Sequence, residues 1–209
     1  MIAMIDYGVG NLFSLKSSLG AIGEEAVVTR DESVLDRADH IILPGVGAFG
    51  DAVQKLRDTG MFQAVLSQAA KGKPVLGICL GMQLLFEKSF EYGEHAGLGL
   101  IQGEVRDIRT VIPKNLAVPH MGWNGLHFPA DRPRSPIFAG LAEGEHVYFV
   151  HSFAGFDCKG QCTATTEYGA ELTAAVQNGN VYGTQFHPEK SGETGLKILK
   201  AFCRLEGKA

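Results

Sequence analysis

A cysteine flanked by glycines is the first feature of this sequence that could carry out chemistry. Residues 77–81 read Gly-Ile-Cys-Leu-Gly and lie between a short apolar run, 74–78, and a helical pattern, 81–88. Glycines two positions on either side of Cys79 allow the sharp strand-to-helix turn of a nucleophile elbow, which exposes the corner side chain. The positive end of the following helix would favour the thiolate. Cys79 is therefore a candidate nucleophile, and the alternative is a buried cysteine that serves as a small apolar side chain.

A histidine and a glutamate much later in the chain could activate that thiol. Residues 181–189 read Val-Tyr-Gly-Thr-Gln-Phe-His-Pro-Glu, and Pro188 favours an extended segment in which Gln185, His187 and Glu189 share one side. A carboxylate beside an imidazole accepts its N–H and leaves the other ring nitrogen for a thiol. Alone, the motif also fits a solvated turn at a strand end. Together with the cysteine elbow it predicts a catalytic triad of Cys79, His187 and Glu189.

A glycine-rich loop could supply the hydrogen-bond donors that a covalent acyl intermediate needs for its oxyanion. A buried-strand pattern runs into Pro-Gly-Val-Gly-Ala at 44–48. We expect one donor to be the amide of Leu80, directly after the nucleophile. A second is expected from the loop of Gly45, Val46 and Gly47.

The same loop could instead cradle a phosphate. No Lys-Ser or Lys-Thr pair follows its glycines, and the Gly-Val-Gly at 8–10 lacks the third glycine of a dinucleotide fingerprint. Nucleotide binding is therefore not expected, and the sequence predicts no cofactor.

The elements that must position these residues alternate in the first half of the chain. Strands are predicted at 1–6, 26–29, 40–43 and 74–78, and helices at 11–21, 51–71 and 81–88. The second half is richer in strands, at 99–108, 125–128, 146–151, 162–167, 172–177 and 180–186, followed by a helix at 191–205. The pattern predicts an α/β fold with a doubly wound, mostly parallel sheet flanked by helices and extra antiparallel strands from the second half. No repeat or linker divides residues 1–209, which predicts one domain.

Composition narrows the class of protein. The chain has 209 residues, 45% of them hydrophobic, and a net charge of −4 without a long basic run, so no nucleic-acid partner is expected. The opening residues carry no basic region before Asp6, and no apolar stretch reaches the roughly 18 residues of a membrane span, so we expect a cytoplasmic protein without membrane contact. The four cysteines have no disulfide-framework spacing, and Cys158 and Cys162 lack a clear second pair of ligands, so no metal is predicted.

Several motifs in the same order resemble those of a known family. Gly-Ile-Cys-Leu-Gly-Met-Gln at 77–83, the Pro-Gly loop before it and His-Pro-Glu at 187–189 resemble the class I (triad) glutamine amidotransferases. Further blocks are similar to the glutaminase subunits of imidazole glycerol phosphate synthase, which act in histidine biosynthesis: 5–11, 44–49, 120–124, 148–153 and 185–191. The resemblance spans nearly the whole chain and implies the flavodoxin-like fold of class I glutamine amidotransferases.

This resemblance implies a reaction and a substrate. Cys79 would attack the side-chain amide of L-glutamine to give a thioester, ammonia and then glutamate. Gln83 would contact the substrate, with the backbone of Ser152 and Phe153 near its α-carboxylate. The plain alternatives are an ordinary polar helix position for Gln83 and a strand end for Ser152 and Phe153.

The resemblance also implies a partner. Glutaminases of this subfamily pass ammonia to a TIM-barrel cyclase subunit, which makes imidazole glycerol phosphate and an aminoimidazole carboxamide ribonucleotide. Asn11, Trp123 and Lys190 match motif positions near that interface, although a helix N-cap, a core tryptophan and a solvated lysine are the plain alternatives. Other functions remain open at this point: the glutaminase subunit of anthranilate or pyridoxal phosphate synthase, a cysteine ester or peptide hydrolase, or a non-catalytic binding subunit.

Overall fold

The architecture is a layered α/β fold, seen in a computed structural model that describes residues 1–158 and 160–207. The strands of the described residues are β1 Ile2–Ile5, β2 Ala26–Thr29, β3 His40–Gly45, β4 Val75–Cys79, β5 Phe86–Ser89, β6 His95–Ala96, β7 Ile101–Asp107, β8 His120–Gly125, β9 His146–His151, β10 Phe153–Phe156, β11 Cys162–Glu167, β12 Glu171–Asn178 and β13 Val181–Thr184. The α-helices are α1 Leu12–Ala21, α2 Glu32–Arg37, α3 Phe49–Asp58, α4 Met61–Ala70, α5 Leu80–Leu84 and α6 Gly192–Cys203.

A seven-stranded sheet in the order β11-β12-β13-β4-β3-β1-β2 forms the centre of the fold. The pairs from β13 through β4, β3 and β1 to β2 are all parallel, whereas β11, β12 and β13 pair antiparallel. The predicted fold class is confirmed: the sheet is doubly wound and mostly parallel, and its antiparallel edge comes from the second half of the chain.

The central strands are buried on both faces because helices cover both sides of the sheet. Alternate residues of β1 divide between two apolar cores: Ala3 and Ile5 pack with α3 and α4, and Ile2 and Met4 pack with α1 and α6. Because the residues on both faces are buried, β3 and β4 read as continuous apolar runs rather than as alternating patterns.

Two smaller sheets extend the second half. One has the strand order β10-β7-β5-β6, and the other pairs β8 with β9 antiparallel. In the β8–β9 pair His120 lies directly opposite His151. The turn from β9 into β10 brings Ser152 and Phe153 to the same end of the molecule as the carboxyl ends of the central parallel strands, where the cavity described below lies.

Two predicted helices differ from the observed ones. The helix predicted at 81–88 ends at Leu84, and Phe86–Ser89 forms β5, which pairs with β7. Leu80–Leu84 is buried on every side, so its apolar pattern could not show where the helix ends. The helical stretch 51–71 is two helices, α3 and α4, separated at Gly60, whose φ of 75° is left-handed.

The strand predictions also need correction in places. The strand predicted at 125–128 lies at His120–Gly125, and His127 makes only an isolated bridge to Thr165. The strand predicted at 180–186 ends at Thr184. Among the α-helices and strands of the described residues, four more were not predicted, because their short segments have no clear period of their own: α2, β5, β6 and β10.

Candidate active site

Cys79 lies at a strained corner between β4 and α5. It is the last residue of the strand and the N-cap of the helix, with φ 55° and ψ −112°. A positive φ is rare for a residue with a side chain and costs of order 1–3 kcal/mol, which the surrounding fold must supply. Cys79 lies at the N-terminus of a helix, as predicted, but this helix is only five residues long.

The glycines on either side of Cys79 are required by space. A Cβ atom at Gly81 would lie 1.8 Å from the carbonyl oxygen of Leu43, and one at Gly77 would lie 2.6 Å from the carbonyl oxygen of Gly81. The strand β3 and the elbow therefore touch through their backbones. This contact holds the corner in place and explains the glycine spacing seen in the sequence.

His187 and Glu189 form a buried pair. The Nδ1 atom of His187 lies 2.8 Å from Oε1 of Glu189, and the two side chains are 3% and 4% exposed. The prediction of an extended segment through Glu189 was wrong: β13 ends at Thr184, and Pro188–Lys190 is a 3-10 turn. The turn, rather than strand alternation, brings the carboxylate to its histidine. Ser191 closes the turn, since its hydroxyl donates to the carbonyl of His187 at 2.7 Å.

The surroundings of His187 favour its protonated form. Burial lowers the pKa of the imidazole, but hydrogen bonds with Cys79 and with Glu189 outweigh burial and raise the pKa to about 9. Because Nδ1 is taken by Glu189, Nε2 is the nitrogen left for the thiol. The arrangement can therefore hold an imidazolium between a sulfur and a carboxylate, as a cysteine nucleophile requires.

A cavity of about 380 Å³ opens beside Cys79 and His187. Its other lining residues come from the glycine-rich loop, α5, the β9–β10 corner and three separate positions: Val46, Gly47, Leu80, Gln83, Val150, His151, Ser152, Phe153, Glu91, Pro119 and Lys190. The predicted nucleophile, its base and the three predicted substrate-binding residues thus border one space.

Gln83 is buried and holds two walls of the cavity together. Its Nε2 donates to the carbonyl of Phe153 at 2.9 Å and to Oε1 of Gln185 at 3.0 Å. Ser152 and Phe153 form the corner between β9 and β10. The structure brings the predicted substrate-binding residues together, and their role toward a substrate stays a prediction.

The predicted oxyanion loop follows β3 directly. Gly45 pairs with Cys79 in the strand register, and a Cβ atom there would lie 2.7 Å from the hydroxyl of Tyr7 and 2.8 Å from the amide nitrogen of Gly81. Gly45 therefore packs against the elbow and does not line the main cavity. Val46 and Gly47 do line it, and the φ of 100° at Gly47 favours glycine.

Two residues that sequence reasoning left out of the site also lie at this cavity or touch the nucleophile. Gln185 is fully buried, and its Nε2 donates toward the sulfur of Cys79 at 3.8 Å. Its alternation with His187 was the signal that could have identified it. Glu91 lines the cavity, and its Oε2 accepts the amide of Phe49 at 2.6 Å. Burial raises the pKa of the Glu91 carboxyl. No local sequence pattern pointed to it.

Of the three predicted interface residues, Lys190 lines the cavity, whereas Asn11 and Trp123 are not among its lining residues. The side chain of Asn11 caps α1, accepting the amide of Ser14 at 3.3 Å, and borders a small void next to Glu189. Trp123 is 53% exposed, so it is not a core tryptophan, and its ring meets Tyr148 edge-on. Lys190 lines the cavity, with its ammonium 5.9 Å from the same tyrosine ring.

Within residues 1–158 and 160–207 no three His, Cys, Asp or Glu side chains are grouped to hold a metal ion. None of the helices in this part of the chain combines the length and the apolar character that crossing a bilayer requires.

The fold brings a cysteine at a strand-to-helix corner and a buried histidine–glutamate pair to one cavity on a doubly wound α/β scaffold. The sequence model described as glutamine amidotransferase class-I matches residues 3–205. The chain belongs to the class I glutamine amidotransferase family.

Similar proteins over nearly the whole chain support this family membership. The chain is 48% identical over 206 residues to "Imidazole glycerol phosphate synthase subunit HisH" of Sulfurimonas denitrificans, covering 98% of each chain. It is 49% identical over 203 residues to the protein of that name from Caldanaerobacter subterraneus, covering 97% of each, and 47% identical over 203 residues to that of Aquifex aeolicus, covering 96% of this chain and 95% of the relative.

Solved structures share the fold at low sequence identity. A crystal structure of a glutamine amidotransferase matches with a TM-score of 0.74 and 21% identity, covering 97% of this chain and all of the other. The PurLQS structure from Thermotoga maritima matches with a TM-score of 0.71 and 22% identity, covering 97% of this chain and 96% of the other. Both likenesses support the fold assignment alone.

Proposed function

We propose that this chain is the glutaminase subunit of an imidazole glycerol phosphate synthase, which hydrolyses L-glutamine and delivers ammonia to a cyclase subunit. The observation that carries the proposal is the buried His187–Glu189 pair beside Cys79 at the wall of one cavity. The family membership supplies the glutamine chemistry, and the relatives' shared name favours the histidine-pathway synthase over the anthranilate and pyridoxal phosphate synthases.

The first half-reaction forms a thioester. The sulfur of Cys79 attacks the side-chain amide carbon of glutamine, and the carbonyl oxygen becomes an oxyanion. The amide of Leu80 and an amide of the Val46–Gly47 segment are the donors assigned to it. His187 gives its proton to the leaving nitrogen, which departs as ammonia. The raised pKa of His187 suits this step, because the proton is already on the imidazole when the nucleophile attacks.

The second half-reaction releases glutamate. His187, now neutral, takes a proton from a water molecule that attacks the thioester, and the thiolate of Cys79 leaves. Glu189 keeps the ring oriented and its Nδ1 proton in place in both steps.

The substrate's charged end also has partners in the cavity. Glu91 offers a carboxylate to the α-ammonium group of glutamine, and the backbone at Ser152 and Phe153 faces the α-carboxylate. Gln83, which also lines the cavity, fixes the Phe153 carbonyl by its hydrogen bond. These contacts would select a substrate with a free α-amino acid end, which weighs against a general peptide or ester hydrolase.

The partner surface is assigned to exposed apolar side chains of the glycine-rich loop, β8 and α1. Val46, Met121 and Trp123 are 42%, 60% and 53% exposed, and Phe13, in the helix that Asn11 caps, is 83% exposed. Large exposed apolar side chains in one region are typical of a protein–protein interface. We assign this surface to a TIM-barrel cyclase in a heterodimer, in which ammonia would pass between subunits within the cytoplasm.

The proposal is tested by measuring glutamate and ammonia release by the chain alone and with a histidine-pathway cyclase and its nucleotide ligand. We expect glutamine hydrolysis to depend on Cys79, and we expect the cyclase to consume the ammonia that is released. Cys203→Ser, a change in α6, is the matched cysteine control and should leave the rate unchanged. Ester turnover without glutamine hydrolysis would overturn the proposal.

A further inference from the structure

Two buried histidines connect the exposed strand β8 to the substrate corner. Nδ1 of His120 lies 2.9 Å from Nε2 of His151, and Nδ1 of His151 lies 2.9 Å from the carbonyl oxygen of Phe153. At the other end, Nε2 of His120 lies 2.9 Å from Oδ1 of Asn124. The chain of contacts therefore runs from Asn124, next to Trp123 in sequence, to the wall of the cavity.

These three contacts need three protons. The terminal partners, the carbonyl of Phe153 and Oδ1 of Asn124, only accept, and the middle contact joins two ring nitrogens. Two neutral imidazoles carry one N–H each. One of the three contacts must therefore lack a proton whenever both rings are neutral.

The surroundings keep both rings neutral and the amide of Asn124 in place. Burial outweighs the hydrogen bond to the carbonyl of Phe153 and, with smaller contributions from His120 and His187, lowers the pKa of His151 to about 3. Burial lowers the pKa of His120 as well. The Nδ2 of Asn124 donates to the carbonyl of Glu167 at 3.0 Å. Turning this amide would set its oxygen against that carbonyl, so the amide cannot supply the missing proton.

The ring of His120 is also held in its plane. It is stacked against Phe149, with ring centroids 4.9 Å apart, and against Tyr168, with centroids 4.1 Å apart. A change in the contact chain therefore occurs by moving protons between ring nitrogens rather than by turning the ring.

The position of the missing proton decides whether the carbonyl of Phe153, at the Ser152–Phe153 corner, accepts a hydrogen bond from His151. With the gap at Asn124, His151 donates to the carbonyl of Phe153, which also accepts Nε2 of Gln83 at 2.9 Å. With the gap at Phe153, a nitrogen lone pair faces that carbonyl at the same distance, which repels it. The two tautomers thus hold the Ser152–Phe153 backbone differently.

We propose that His120 and His151 are positioning residues for glutamine, and that their tautomers couple the β8 surface around Trp123 to the Ser152–Phe153 corner. This rests on the proposed function, because the corner matters only if it meets the substrate. If a protein docked on β8 shifts Asn124, the contact that lacks a proton would become the one between His120 and Asn124. The N–H of His151 would then donate to the carbonyl of Phe153.

Two substitutions at one position test the positioning role. An Asn side chain mimics Nδ1 of histidine, and a Gln side chain mimics Nε2. We expect His151→Asn to keep the donor to Phe153 and a near-normal KM for glutamine, and His151→Gln to raise KM by about 3- to 10-fold with kcat changed less, as the loss of one hydrogen bond implies. His127→Gln, at an exposed histidine bound to Glu143, is the control and should leave KM unchanged. Equal KM values for the two His151 variants would overturn the positioning role.

The tautomers themselves can be observed in the wild-type protein, whatever the variants do. Long-range ¹H–¹⁵N spectra of ¹⁵N-histidine-labelled chain report which ring nitrogen carries the proton. We expect His151 to shift toward the Nδ1–H form when the cyclase binds, by at least about twofold in population ratio. Unchanged tautomers in a complex that hydrolyses glutamine would overturn the coupling while leaving the proposed function intact. Absence of glutamine hydrolysis by that complex would instead contradict the proposed function.

Discussion

The carbonyl oxygen of Leu43 occupies the place that any side chain at Gly81 would need. A Cβ atom at position 81 would lie 1.8 Å from it, well inside van der Waals contact. Since Gly81 follows the nucleophile by two residues, the packing of β3 against α5 fixes the direction in which Cys79 points. The strained φ of Cys79 is held by this backbone contact.

Gly81→Ala should therefore damage the site through the backbone. We expect a loss of stability of about 3 kcal/mol and a large loss of glutaminase activity, because either β3 or the elbow must move. Gly20→Ala in α1 is the matched control: nothing lies within 4 Å of its Cβ position, and the change should stabilise the protein by about 0.5–1 kcal/mol. Thermal unfolding together with the glutaminase rate checks both, and a normal rate in Gly81→Ala would contradict the proposed role of the elbow.

Removal of the carboxylate of Glu189 should change the pH dependence of the reaction. Burial alone lowers the pKa of His187, and the hydrogen bonds with Cys79 and Glu189 raise it to about 9. In Glu189→Gln one of these is weakened, so the imidazolium is lost at a lower pH and the alkaline limb of kcat/KM should move down. Glu143→Gln, at the exposed His127–Glu143 pair, is the control. An unchanged limb would mean that Glu189 does not set the charge of His187.

Substitutions at His187 and Glu189 should reduce the rate of glutamine hydrolysis to different extents. We expect His187→Ala to abolish nearly all hydrolysis, since the roles of base and acid disappear together, and Glu189→Gln to lose roughly 100-fold less, as for the orienting carboxylate of a serine protease triad. Steady-state glutamate release by the two variants measures this. Greater damage from Glu189→Gln than from His187→Ala would show that the base has been misassigned.

Glu91→Gln should weaken recognition of the substrate's ammonium group. A charge-assisted hydrogen bond contributes about 1.5–3 kcal/mol, so kcat/KM for glutamine should fall by roughly 10- to 150-fold. The amide oxygen of Gln can still accept the amide of Phe49, so the loop stays capped. Glu94→Gln, at a 64% exposed side chain, is the control.

The test for Glu91 becomes specific with an analogue of glutamine that lacks the α-amino group. Wild type should prefer glutamine strongly, and Glu91→Gln should lose most of that preference. The same preference in both would show that Glu91 acts elsewhere.

The glycine-rich loop leads us to expect control by the partner. Gly47 has a φ of 100° and open space around it, so the Val46–Gly47 peptide can adopt more than one orientation. If the free chain mostly turns this amide away from the oxyanion, docking of a ligand-bound cyclase should raise glutamine hydrolysis by about 10²–10³-fold, the effect of one oxyanion donor. Equal rates for the free chain and the complex would place the coupling outside this loop.

The sequence revealed those parts of the site that depend on local patterns. The elbow could be predicted because glycine spacing around Cys79 reflects a local steric need. The pairing of His187 with Glu189 was predicted through the wrong geometry, since a 3-10 turn and not a strand joins them. Glu91 could not be predicted, because its place in the cavity depends on a contact with Phe49, 42 residues earlier.

The fold shows the same limit. The parallel strands of the first half were predicted from their apolar runs, which arise because both faces of the sheet are buried. The end of α5 was not, because Leu84 is buried like its neighbours and the chain continues directly into β5. Where every side of an element is buried, only the tertiary pairing of Phe86 with Ile101 marks the boundary.

The central claim is that Cys79 forms a covalent γ-glutamyl thioester during glutamine hydrolysis. Acid quenching of the chain, with its cyclase, during turnover and peptide mapping by mass spectrometry test it directly. We predict a mass increase of one γ-glutamyl group on the peptide that contains Cys79, absent in Cys79→Ala and present in Cys203→Ser. Glutamine hydrolysis by Cys79→Ala within tenfold of the wild-type rate, or a γ-glutamyl group on another residue, would contradict it.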